Sequence, residues 1–342
     1  MPRSKRAFTI LELIFVITAI LILASLVLVS FHKITSAANN TASASALRQI
    51  ITAWSNYNAD HDGRLLPGYI NPADFTDVNS PWNGMIVRNE NGDQLVAADR
   101  SSYVWRLAPY LGYKMDIFAA DYKSSQITAK FDTELLNHQY GPGTVNPASG
   151  ELGIALVPSF GINSIFVGGN DYQGGSYVTD RTPWRDSSLN PNGEVLAATR
   201  FSQIKNASTL IVFGPTAQAN LSMLPNINPP PVQFGSPELR PPYIEYNSAT
   251  GEWMQEQWAL DVNNATDAID DLIATGGDIS VGEGVPISRW NGSNFPTAQA
   301  DGSVGTQDTR DYYVNPSNTA QQQSAYKRKL MAAWWPFATG LN

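Results

Sequence analysis

Residues 8–31 read FTILELIFVITAILILASLVLVSF, an apolar run of 24 positions with one ionisable side chain, Glu12. No proline or glycine interrupts this run. A helix rises about 1.5 Å per residue, so the run would extend about 36 Å, more than the roughly 30 Å hydrocarbon core of a bilayer. The run therefore predicts one membrane-spanning helix near the start of the chain.

The charges that flank this run predict its orientation. Arg3, Lys5 and Arg6 precede it, and the next basic residue other than histidine is Lys33. Because basic residues stay on the cytoplasmic side, we expect the short N-terminal end to be cytoplasmic and the bulk of the chain to be exported. A cleaved secretory signal has a shorter apolar region of about 7–15 residues. We therefore expect a helix that is retained.

Glu12 needs an explanation, because an ionised carboxylate inside a membrane helix costs about 2.5–3.5 kcal/mol on insertion scales. If the chain were cut between Ala7 and Phe8, the new α-amine of Phe8 would be a cation and Glu12 would be the fifth residue. A carboxylate among packed apolar helices would pair with that amine on a neighbouring copy. The alternative is a signal-anchor helix in which Glu12 reaches the membrane interface.

Residues 6–12, Arg-Ala-Phe-Thr-Ile-Leu-Glu, followed by the apolar run, resemble the leader of type IV pilins and type II secretion pseudopilins. The usual motif in that family is Gly-Phe-Thr-Leu-Ile-Glu. The resemblance implies that a prepilin peptidase cuts between Ala7 and Phe8 and N-methylates Phe8, and that Glu12 guides assembly. Two features differ from the family pattern. Ala7 replaces the usual glycine, and the helix lacks the proline of many pilins, which predicts a straighter helix.

The helical pattern continues beyond the apolar run. Between Lys33 and Gly63 there is no proline or glycine. Apolar residues recur there at helical spacing, at Ile34, Ala38, Leu47, Ile50, Ile51, Trp54 and Tyr57. We expect one helix from about residue 8 to residue 57, with an exposed neck rich in Ala, Ser, Thr and Asn at residues 35–46.

The rest of the chain has the pattern of short strands broken by Gly, Pro, Asn and Asp. Strands are predicted at 85–88, 152–157, 160–167, 195–199, 210–213, 243–246, 252–258 and 286–290, and short helices at 103–111, 262–274 and 321–335. The predicted fold class is α+β, a long N-terminal helix packed on a large β-rich head. Four segments follow: a leader at 1–7, a transmembrane or filament-core helix at 8–31, an amphipathic extension at 32–62 and the head at 63–342.

Two further segments carry weaker resemblances. Residues 47–67 are similar to the start of large pseudopilin-like heads, and Asp301-Gly302 is similar to a late hairpin of such a family. That family usually has a histidine ten residues before the aspartate, where this chain has Asn291. An amphipathic helix that ends at a Gly/Pro turn, and a tight turn between strands, explain the same residues without a function.

Three acids near the C-terminus form a candidate metal site. Asp301, Asp308 and Asp311 lie in one polar stretch, and carboxylate oxygens are the ligands that calcium prefers. Some pseudopilin heads bind calcium in a C-terminal loop, so the resemblance permits this role. The alternative is a set of solvated surface acids on an acidic protein.

The sequence offers little for catalysis. It has no cysteine, and His32, His61 and His138 lie far apart and in no zinc-binding motif. A nucleophile elbow, a phosphate-binding loop and a dinucleotide fingerprint are also missing from the sequence. We therefore expect a protein that is not an enzyme and needs no cofactor apart from the calcium considered above.

The charge of the chain limits its partners. The net charge is −8, and removal of residues 1–7, with three of the 22 basic residues and no acid, would leave 19 against 30, or −11. Nucleic acid is therefore not an expected partner, because binding it needs a basic face.

The resemblance implies a homo-oligomeric filament subunit of a type IV pilus or a type II secretion pseudopilus. The subunit would be held in the inner membrane by a single span, N-terminus cytoplasmic, and then form a periplasmic or cell-surface filament. Its partners would be the prepilin peptidase, an assembly ATPase and a membrane platform protein. The sequence is consistent with either a major or a minor subunit of such a filament. Two alternatives are a membrane-tethered glycan-binding module that uses some of the nine tryptophans, and a tethered hydrolase.

Overall fold

The structure is a computed structural model. It describes residues 10–70, 72–78, 80, 82–95, 100–119, 154–155, 158–164, 166–169, 197–216, 235, 237, 239, 245–247, 252–254, 294–308 and 333–334. Within these ranges, the backbone alone is described at residues 12, 26–33, 36, 245–247, 252–254 and 308.

Helix α1 spans Ile10–Asp60, which is 51 residues. Most described side chains up to Ala42 are exposed, and regular burial begins at Ser43. From Leu47 onward, one face of the helix is fully enclosed, at Leu47, Ile50, Ile51, Ala53 and Trp54. This face packs on the strand at Asn294–Gln299 and on the turns around residues 108–119.

The helix ends in a turn with two left-handed residues. Gly63 N–H donates to the carbonyl of Asn58 at 2.7 Å, and the φ angles of Asp62 and Gly63 are 54° and 75°. The chain then joins a distant segment, because Leu65 N–H donates to Thr199 O at 2.9 Å. The end of α1 is therefore fixed to the body of the protein by backbone hydrogen bonds.

A short helix, α2, spans Tyr103–Leu107 and continues as a 3₁₀ turn over Ala108–Leu111. The Ser102 hydroxyl caps α2 by accepting from Val104 N–H at 3.3 Å. Gly112, with a φ of 60°, ends the turn. These two elements cover the predicted helix at 103–111. Further 3₁₀ turns lie at Pro72–Phe75, Met115–Ala119 and Phe201–Gln203.

Four strands form an antiparallel sheet in the order β1-β2-β5-β6. They are β1 (Phe160–Ile162), β2 (Ile211–Pro215), β5 (Asn294–Gln299) and β6 (Val304–Asp308). Strands β3 (Glu245–Asn247) and β4 (Glu252–Met254) form a separate antiparallel pair. Helices together with an antiparallel sheet confirm the mixed α+β class.

Several strand predictions were wrong. Residues 85–88 form no strand, since only Arg88 makes an isolated bridge, to Gln94. Ile154 and Ala155, inside the predicted strand 152–157, are helical. Strands β5 and β6 were missed, although the Asp301-Gly302 turn that joins them was predicted. The predicted elements 262–274 and 286–290 lie outside the described residues.

Candidate functional site

The N-terminal half of α1 presents uncovered apolar side chains. Those of Ile10 and Leu11 are each 80% exposed, and the least exposed large one, Val16, is still 45% exposed. The others in this group are Leu13, Ile14, Phe15, Ile17, Ile20, Leu21, Ile22 and Leu23. The large apolar side chains of this apolar stretch, residues 10–23 of α1, are therefore not part of the core.

The residues of the predicted processing site and the assembly carboxylate are only partly described. Ala7 and Phe8 lie outside the described residues, and Glu12 lies in the first turn of α1 without a described side chain. Residues 8–31 are therefore covered only in part, and their membrane-spanning role stays a prediction. Among the residues that the structure describes, no helix has the length and apolar character that a membrane crossing requires.

The C-terminal end of α1 carries a ring cluster. The His61 imidazole stacks on the Tyr57 ring with centroids 3.9 Å apart, and the Tyr110 ring meets Tyr57 edge-on at 6.0 Å. Burial raises the pKa of the Tyr57 hydroxyl, although the charges of Arg106 and Arg64 partly offset this effect. The cluster joins α1 to the turn that follows α2.

Tyr110 is also linked to the last residue of α1. Partial burial, and then a hydrogen bond to the Asp60 carboxylate together with its charge, raise the pKa of Tyr110 to about 12. A phenol that donates to a carboxylate keeps its proton to higher pH, since ionisation would place two anions side by side. Asp60 is thus already engaged within the chain.

An open groove of about 450 Å³ lies between α1 and the turn at residues 110–114. Four of its residues are spaced at i, i+3, i+4 and i+7 and so share one face of α1. The groove contains two cations and no acidic residue, and its main lining residues are Ser45, Arg48, Gln49, Thr52, Tyr110 and Lys114. The sequence does not predict this groove, because Arg48 and Lys114 are far apart along the chain and only the fold brings both to one groove.

Two of the three candidate calcium ligands, Asp301 and Asp308, lie at opposite ends of strand β6. Asp301 lies in the β5–β6 turn, where its carboxylate accepts from Ser303 N–H at 2.9 Å and from Ser303 Oγ at 2.6 Å. Asp308 ends β6, four residues beyond Val304, or about 14 Å at 3.4 Å per residue. Asp311 lies outside the described residues. No cluster of three or more candidate metal ligands occurs among the residues described, and calcium binding stays a prediction.

The alternatives gain no support from the described residues. Trp54, Trp105 and Trp334 are almost completely buried, as core residues are, rather than exposed as a sugar-binding surface requires. Of the histidines, His61 packs on Tyr57, and the side chains of His32 and His138 are not described.

Comparison with family models, curated proteins and solved structures finds no match for this chain.

Proposed function

We propose that this chain is a filament subunit of the type IV pilin-like class, which assembles through α1 after removal of residues 1–7. The exposed apolar stretch of α1 is the observation that carries the proposal. Burying a large apolar side chain is favoured by a free energy of about 1.5–3 kcal/mol relative to leaving it in water. A helix end with so many uncovered apolar side chains needs a bilayer or other helices around it.

The two environments of α1 support this reading. The first half of α1 is apolar and uncovered, whereas one face of residues 47–57 is buried against the body of the protein. In our proposal, the first half lies in the inner membrane before assembly and packs against copies of itself in the filament. The anchored second half then carries the head on the filament surface.

The proposal gives roles to three residues at the N-terminal end. Ala7 and Phe8 form the processing site, and Phe8 becomes the N-methylated first residue of the mature chain. Glu12 pairs with the Phe8 amine of a neighbouring copy. A prepilin peptidase, an assembly ATPase and a platform protein act on the chain, which is not itself an enzyme.

The mature N-terminus tests the processing step. Mass spectrometry of the protein from a sheared surface or periplasmic fraction should find a peptide that begins with N-methyl-Phe8. Ala7→Leu should block cleavage, because the family takes a small residue at this position, and Ala7→Gly is the matched control that should be cleaved normally. A mature chain that begins at Met1 would contradict the proposal. A chain that begins near Asn39, as after removal of the apolar run as an ordinary secretory signal, would contradict it too.

A further inference from the structure

The groove between α1 and residues 110–114 is a positively charged surface on an acidic protein. We propose that it binds an acidic segment of a second copy of this chain during assembly. This inference rests on the proposed function, and it adds to it a specific contact between the body of one copy and the helix face of the next.

Among the described residues, no acid neutralises the two cations of the groove. Arg48 and Lys114 are exposed, and neither forms an ion pair within the described part of the chain. Asp60, the last residue of α1, accepts from Tyr110, which lines the groove. Arg48 lies 12 residues before Asp60, or about 18 Å along the helix axis. Asp60 therefore does not neutralise Arg48.

The position of the groove favours a second copy as its occupant. Ser45, Arg48 and Thr52 lie on a helix face that continues toward the N-terminus through exposed Thr41 and exposed Ile34. That face leads to the apolar stretch that we propose to pack against copies. A neighbour that covers the apolar stretch would thus lie beside the groove.

The charge of the chain supplies the complementary partner. With 30 acidic and 22 basic residues, a second copy carries an excess of negative charge. Opposite charges in such a contact fix orientation more than they add affinity, and like charges oppose it. The groove would therefore set the register between copies, while the apolar stretch supplies most of the attraction.

Crosslinking of the full-length chain in membrane vesicles tests this inference. The chain contains no cysteine, so Gln49→Cys gives one attachment point for a thiol-directed photo-crosslinker inside the groove. We expect a crosslinked dimer, and peptide mapping should place the second attachment in a segment that contains Asp or Glu. Arg48→Glu with Lys114→Glu should lower the yield about tenfold, because two attractive contacts become repulsive.

Two controls separate the outcomes. Lys205→Glu changes an exposed cation outside the groove and should leave the yield unchanged. A probe at Ala24→Cys reports contact between the exposed helix halves. Ala24 dimers without a Gln49 dimer, or a Gln49 dimer that the groove charges do not affect, would overturn the groove inference alone. Absence of both dimers would count against the proposed function as well.

Discussion

Arg106 is buried, and its Nη2 donates to the carbonyl oxygen of Gly68 at 3.0 Å, across 38 residues of sequence. The same nitrogen donates to Ser101 O at 3.0 Å, and Nε donates to Ser102 O at 3.3 Å. One guanidinium thus joins α2 to the segment that leaves α1. Its planar fork suits several carbonyl oxygens at once, which a lysine ammonium does less well.

Replacement of Arg106 should destabilise the body of the protein. Arg106→Met should lower the free energy of unfolding by about 2–3 kcal/mol, because hydrogen bonds from a charged donor are lost. Arg106→Lys keeps the charge but loses the fork, so it should remain clearly less stable than the parent chain. Thermal unfolding of the chain from Lys33 onward, followed by tryptophan fluorescence, measures this effect. A Met variant as stable as the parent would show that the contact is incidental.

Removal of the apolar half of α1 should yield a soluble protein. A chain that begins at Lys33 retains the buried face at residues 47–57 and loses the exposed apolar stretch. We expect it to be folded and mainly monomeric, as measured by sedimentation and circular dichroism. Filaments formed by this shortened chain would show that the head, rather than the helix, drives assembly.

Gly168 should not tolerate a side chain. Its φ is 79°, and an added Cβ would lie 2.0 Å from the carbonyl oxygen of Leu66. Gly112 also has a positive φ, of 60°, but an added Cβ there would meet nothing within 4 Å. Gly112→Ala should therefore cost about 1–2 kcal/mol, the backbone strain alone. Gly168→Ala should cost clearly more in the same unfolding measurement, and equal effects would contradict the close approach of the two segments.

The Tyr110 hydroxyl should ionise at a higher pH than an ordinary tyrosine. Its pKa is raised from 10.0 to about 12, so the folded protein holds the phenol proton more tightly than the unfolded chain does. This contribution to stability is complete below about pH 10 and is lost as the pH rises toward about 12. The ultraviolet difference titration of the parent chain against Tyr110→Phe isolates this tyrosine. Asp60→Asn should move the midpoint down, and an unchanged midpoint would show that Asp60 has no part in the shift.

The sequence predicted elements where local chemistry decides the structure. The Asp301-Gly302 turn and the helix at 103–111 carry their own signals, a tight-turn pair for the first and a Ser102 cap for the second. Strand β5 was missed because it contains Pro296, and proline normally argues against a strand. Its pairing with β2 involves Ala298 and Gln299, whereas Pro296 pairs only with β6, at Thr306. Pro296 therefore lies where β5 is locally an edge.

The candidate site was predicted in part. The apolar run was evident from residues 8–31, and the structure adds that the described large apolar side chains of residues 10–23 are exposed. Contacts between distant segments were not predictable in this way. The groove needs Lys114 beside Arg48, and the Arg106 contacts need Gly68 beside α2. Neither pairing has a periodic signal in the sequence.

Glu12 provides the most direct test of assembly through α1. Glu12→Leu removes an ionisable group from an apolar helix, so membrane insertion should be intact. If Glu12 pairs with the Phe8 amine of a neighbour, as we propose, that amine would lose its partner, and leaving a buried charge unpaired commonly costs about 3–5 kcal/mol. Thr18→Val is the matched control, because Thr18 bonds only to carbonyls of its own helix, those of Ile14 and Phe15, among the contacts that are described.

The measurement is the filament yield in sheared fractions at matched membrane levels of processed protein. Our account predicts a normal yield for Thr18→Val and a severe loss for Glu12→Leu, with both proteins cleaved before Phe8. A normal yield of filaments from Glu12→Leu would contradict the pairing of Glu12 with Phe8 and weaken the assignment to the pilin-like class.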